Sequence, residues 1–173
     1  MFQHAANGAN QAVGRFSYGK SYLGNPDALA IDPKALPLSP REYRNTALRG
    51  VFGALNDAMP DDWGRYVIDR TQGEQDFPVG YMLRTVDDAS GNLAFSASPT
   101  VPPSRNTPIG IELLAEAREI IMGLERGRAI APELEGKIRP NTAMGGARPK
   151  LTVAHEGHLW LAKFSSTKDG PEG

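Results

Sequence analysis

Two adjacent glycines constrain this chain more than any other feature. They sit in the run Asn141-Thr142-Ala143-Met144-Gly145-Gly146-Ala147-Arg148-Pro149-Lys150. Glycine lacks the Cβ that holds other chains at a distance, so neighbouring glycines let main-chain N–H groups turn inward around an anion. Beyond the run, Leu151, Val153, Leu159 and Leu161 alternate on either side of Glu156-Gly157, which is the pattern of a two-stranded hairpin. Such a hairpin carries Lys163, at the end of its second strand, back beside the residues that follow the glycines. A glycine loop followed by a strand lysine is the layout with which kinases hold nucleotide phosphates. The plainer alternative is a Gly-Gly turn feeding a hairpin, with Lys163 extending its ammonium from a strand end into water. The run does not follow G-x-x-x-x-G-K-[ST], which excludes a P-loop NTPase.

Composition narrows the classes. The chain has 173 residues, 40% of them hydrophobic, enough for one compact domain or for a domain with part of a second. Its 19 glycines and 14 prolines predict many turns rather than disorder, because apolar residues continue along the whole length. A formal net charge of -1 offers no electrostatic footprint for nucleic acid, so contact with DNA is expected only through a partner. The absence of cysteine removes disulfides and thiolate metal sites. His4, His155 and His158 are too scattered for a zinc site, and no metal ligand is assigned. The start Met1-Phe2-Gln3-His4 has neither the basic nor the apolar part of a signal peptide, and no stretch has the roughly 18 apolar residues of a membrane span. A cytoplasmic protein without a membrane partner is the expectation.

The pattern along the chain predicts an α+β fold. Val13, Phe16 and Tyr18, then Tyr22 and Leu23, then residues 28–31 read as short strands of a small antiparallel sheet. Prolines at 33, 37 and 40 make connectors of the next stretch. A short helical pattern runs from Val51 to Leu55. Trp63, Val67 and Ile68 then recur at helix spacing behind Asp61 and Asp62. Two carboxylates there are open to a metal or acid/base reading, but capping with Trp63 as a core anchor accounts for them better. Val79, Met82 and Val86 suggest a helix beginning near Pro78. Leu93, Ala94 and Phe95 suggest a strand after the turn chemistry of residues 87–92, which lacks the ligand spacing of a calcium loop. Ile111, Leu114, Ala115, Arg118, Ile121 and Met122 mark an amphipathic helix ending near Gly123. Residues 1–100 are therefore expected to form one subdomain, 101–110 a linker, and 111–173 the start of a nucleotide-facing unit.

Three motifs in order carry a resemblance: "PDDWGR" at Pro60 to Arg65, "DDASGNLAF" at Asp87 to Phe95, and "GGARPK" with "LAKF" downstream. Together they resemble the HipA family of type II toxin serine/threonine kinases, over about Val13 to Lys163. The resemblance implies a HipA-like N-terminal subdomain, a small antiparallel sheet with short helices, followed by the start of a kinase-like N-lobe. It implies that Gly145, Gly146 and Ala147 lie over the phosphates of ATP, with Lys163 on the α/β-phosphates and magnesium bound in a full-length relative. Lys150 either adds to that charge or points to solvent. It also implies a HipB-like DNA-binding antitoxin as partner and a kinase C-lobe carrying the catalytic and metal-binding aspartates. No such aspartate motif follows Lys163, so no catalytic residue is assigned here, the chain alone is expected to be inactive, and tight ATP binding is not expected. Family members autophosphorylate a serine just before the glycine loop. That position is Ala143 here, with Thr142 beside it as the candidate acceptor. The alternative function is a non-catalytic regulator that binds a separate kinase or antitoxin chain. In either case Trp160 and Phe164 are expected to be only partly covered.

Overall fold

A computed structural model describes residues 1–7, 11–85, 93–103, 108–129 and 148–166. The chain is mixed α+β and divides into two compact units, Met1–Asp57 and Ala58–Gly173. The first boundary thus falls well before residue 100. The helix that carries the Trp63 motif belongs with the later elements.

The first unit holds a three-stranded antiparallel sheet. Strands β1 (Phe2–Asn7) and β2 (Gln11–Phe16) pair from Phe2 opposite Phe16 to Asn7 opposite Gln11, and β3 (Tyr43–Asn45) pairs with the other edge of β2. The expected small antiparallel sheet is present, but two of its expected strands are not. Residues 20–23 form a helical turn, α1 (Lys20–Leu23), and residues 28–31 are irregular. Tyrosine hydroxyls do there what a strand ladder would otherwise do. Tyr18 Oη donates to Leu36 O at 2.6 Å and accepts from Ile31 N at 3.0 Å, while Tyr22 Oη donates to Leu29 O at 2.8 Å. Backbone groups satisfied by side chains have no need of a neighbouring strand. Phe16, Tyr18, Leu36, Tyr43, Val51, Phe52 and Leu55 are buried in this unit, with Phe16 edge-on to Tyr18 at 4.9 Å.

One close approach fixes the turn before α2 (Gly53–Asp57). Leu48, Arg49 and Gly50 all have positive φ, and a Cβ on Gly14 would stand 1.7 Å from Gly50 O. Only glycine fits at position 14 while that carbonyl crosses the strand. Asn45 fastens the same turn: its Nδ2 donates to Ala47 O and Val51 O, and its Oδ1 accepts from Ala47 N.

The second unit is built on α3 (Asp62–Gln72), α4 (Val79–Met82), α5 (Leu114–Glu125) and a second sheet of three strands. In that sheet β4 (Ile109–Gly110) runs parallel to β5 (Lys150–His155), which pairs antiparallel with β6 (His158–Lys163). The β5–β6 hairpin closes as expected: Glu156 and Gly157 both have positive φ, the requirement of the tight two-residue turn that matches strand twist. Trp63 and Val67 of α3, Ala117, Ile121 and Leu124 of α5, Leu151 and Val153 of β5, and Phe164 form one buried cluster.

Two expectations for this unit are corrected. Leu93, Ala94 and Phe95 are irregular, not a strand. The buried face of α5 follows Ala117, Ile121 and Leu124, whereas Ile111 and Ala115 are exposed. The reason is local: Ile111–Leu113 make a separate 3-10 turn, so Ile111 does not share the phase of the α-helix that follows.

Candidate functional site

Of the residues expected to meet a nucleotide, Lys150 and Lys163 lie among those described. Thr142, Ala143, Gly145, Gly146 and Ala147 lie outside them. The register places Lys150, first residue of β5, directly opposite Lys163, last residue of β6. Phe164 N donates to Pro149 O at 2.9 Å and extends the pairing one step further. The hairpin therefore brings the strand lysine back to the residues that follow the glycine run, as the alternation of leucines predicts.

The two lysines occupy opposite environments. Lys163 is exposed at the strand end. Lys150 neither points to solvent nor stands as a second surface charge: its side chain is 3% exposed, and its Nζ donates to Asp61 Oδ2. The Asp61 side chain is itself only 8% exposed. Successive side chains of a strand alternate between faces, yet Lys150, Leu151, Thr152 and Val153 are all buried. Burial of consecutive residues means that both faces of the first part of β5 are covered, and β5 is also the central strand of its sheet.

Asp61 reaches this position as the N-cap of α3. Its backbone is extended, and its Oδ1 accepts from Gly64 N at 2.8 Å, which satisfies one of the free amides of the helix start. The two carboxylate oxygens thus have separate duties, one to the helix amide and one to Lys150. Asp62 behaves differently, pairing with Arg65 at 2.6 Å on the exposed side of the same turn. The capping account of the carboxylate pair is the one the geometry supports. Trp63 follows in the core, tilted against Tyr66 at 5.7 Å between ring centres, and Tyr66 Oη donates to Leu124 O at 2.7 Å. This bond ties α3 to the C-terminal end of α5. Ser166 Oγ donates to Glu125 Oε1 at 2.6 Å and so secures the stretch after β6 to the same helix.

The sequence marks Asp61 as a cap, and no local signal marks its partnership with Lys150. The available signal is a pair of motifs, "PDDWGR" with three charged residues and "GGARPK" with two. Nothing in their sequence separation of 89 residues says that the charges meet.

The remaining candidates are peripheral. His155 and His158 flank the hairpin turn, both exposed, with His155 Nε2 3.9 Å from Glu156 Oε1. Among the described residues no three His, Asp or Glu side chains gather as a metal-binding group. No described helix is long and apolar enough to cross a membrane. Trp160 is 56% exposed and Leu159 65% exposed on the edge strand β6, whereas Phe164, expected to share that exposure, is buried. Position 164 continues the pairing one step past β6, and its ring joins the cluster that includes Leu151 and Ile121.

Comparison of the chain with protein-family models, with curated proteins and with solved structures gives no match.

Proposed function

We propose that these residues are the N-terminal part of a HipA-like serine/threonine-protein kinase toxin. They support ATP binding and contact with a HipB-like antitoxin, while the catalytic chemistry belongs to a C-lobe. The observation that carries the reading is the exposed Lys163 at the end of β6, held by the hairpin register opposite Lys150, the first residue of β5. A lysine there is free of any burial cost and is available to an anion gathered by the glycine loop. Its ammonium fits one or two phosphate oxygens of ATP. Magnesium, brought with the nucleotide, would neutralise the charge that develops on transfer. The place of such a protein is the cytoplasm.

The test is phosphoryl transfer by the protein captured from its native cells through an antibody to this region. With labelled ATP and magnesium, transfer to protein hydroxyls is expected, and Lys163→Met introduced at the native locus is expected to abolish it. Transfer that is absent from the native protein, or indifferent to Lys163→Met, contradicts the reading and favours a non-catalytic regulator. Phosphopeptide mapping of the same material reads the candidate acceptor: phosphate at Thr142 supports an off-switch one residue from Ala143.

A further inference from the structure

We infer that Asp61 is a positioning residue that withdraws Lys150 from the anion and leaves Lys163 as the lysine that meets it. This inference rests on the nucleotide reading of Lys163 but adds a residue and a division of labour to it. The starting point is a conflict. Lys150 and Lys163 are direct cross-strand neighbours, and like charges in that relation repel. An unpaired buried ammonium beside an exposed one is doubly unfavourable, through desolvation as well as repulsion. The carboxylate of Asp61 removes both penalties at once, because it neutralises the buried member of the pair and leaves the exposed member charged.

The arrangement is also hard to undo. Asp61 is held from two sides, by the Gly64 amide on one oxygen and by Lys150 on the other. If Lys150 swung out to a phosphate, the carboxylate would remain buried with its charge uncompensated, and breaking one side of a buried pair is strongly unfavourable. Lys163 reaches an anion at no such penalty. The same pair fastens the strand that leaves the glycine run to the start of α3, whose Trp63 and Val67 lie in the cluster with Leu151. Asp61 and Lys150 thereby join the start of α3 to the start of β5. Asp61 sets the position of the loop's exit strand and does not itself touch the nucleotide.

Lysine acetylation by a brief pulse of an N-hydroxysuccinimide acetate, read by mass spectrometry, tests this on the folded chain. In the unmodified sequence Lys163 should react like the exposed Lys20 and Lys34, and millimolar magnesium-ATP should slow it. Lys150 should be protected with or without nucleotide. Asp61→Asn keeps a good N-cap but removes the charge. In that variant the lysine stem is released, Lys150 should react at least about tenfold faster, and magnesium-ATP should now protect it. The double variant D61N/K150M, which removes both charges, should fold and should retain nucleotide protection of Lys163. Rapid acetylation of Lys150 in the unmodified protein overturns the inference, as does protection of Lys150 that survives Asp61→Asn, or loss of nucleotide protection at Lys163 in the double variant. If magnesium-ATP alters neither lysine while Asp61→Asn still exposes Lys150, the nucleotide reading fails and the positioning role of Asp61 stands.

Discussion

The two compact units solve the same problem, satisfying buried polar groups, by different chemistry. In Met1–Asp57 neutral side chains bond to the backbone: Tyr18 to the main chain at Leu36 and Ile31, Tyr43 to Pro37 O, Asn45 to Ala47 and Val51. In Ala58–Gly173 a buried ion pair, Asp61 with Lys150, takes a principal part. A neutral hydrogen bond to a carbonyl fixes a loop at modest cost and leaves no charge behind if it is lost. A buried ion pair is a weak contributor to net stability and a severe liability when broken, so its presence points to a requirement for position. The first unit holds its loops with neutral bonds, and the second holds a strand to a helix start with charge.

That contrast predicts a hierarchy of mutational effects. Lys150→Met strands the Asp61 carboxylate and should destabilise the second unit by roughly 3–5 kcal/mol in urea unfolding, with α3 and the hairpin losing amide-exchange protection first. A loss under about 1 kcal/mol would mean that the pair is open to solvent and would erase the distinction between the units. Gly14→Ala is the counterpart in the first unit. Its methyl would meet Gly50 O, and the overpacking should cost about 3 kcal/mol, with exchange protection lost in β1 to β3. Tyr18→Phe should cost less, about 2 kcal/mol, since it leaves Ile31 N and Leu36 O without their partner but opens no cavity.

The smallest effect is one of pH. Burial raises the pKa of Tyr18 above its usual 10.0, and burial followed by the bond to Asp69 raises that of Tyr81. Both phenols therefore bind their proton more tightly in the folded chain. Their contribution to stability is complete below the unfolded value and is lost as pH rises through the raised folded values. Absorbance at 295 nm should show phenolate forming at Tyr18 and Tyr81 above the usual phenol range, and Tyr18→Phe should reduce the alkaline fall in stability. Titration of all tyrosines in step with model phenols would contradict the burial of both.

Legibility in the sequence follows interaction range. The β5–β6 hairpin was readable because its signals are consecutive: alternating leucines, a Glu-Gly turn and a strand of fixed register. The start of α3 was readable for the same reason, as Asp61 and Gly64 are three residues apart. Tyr22-Leu23 and residues 28–31 read as strands by propensity, whereas residues 20–23 form a helical turn and the hydroxyls of Tyr18 and Tyr22 hold residues 28–31 as an irregular loop. The place of α3 in the second unit was hidden, since only packing against Ile121 and Leu151 assigns it there. For the site, the resemblance places Lys163 on the phosphates but leaves Lys150 open between adding to that charge and pointing to solvent. Burial makes that distinction, and burial at position 150 depends on a partner 89 residues away.

The central claim is that Asp61 and Lys150 form one coupled unit that sets the strand leaving the glycine run. A double-mutant cycle of Asp61→Asn, Lys150→Met and the pair, followed by urea unfolding, measures that coupling directly. A coupling of about 2 kcal/mol or more, with the double variant more stable than Lys150→Met alone, is the predicted result. Additive losses, with coupling below about 0.5 kcal/mol, would contradict it.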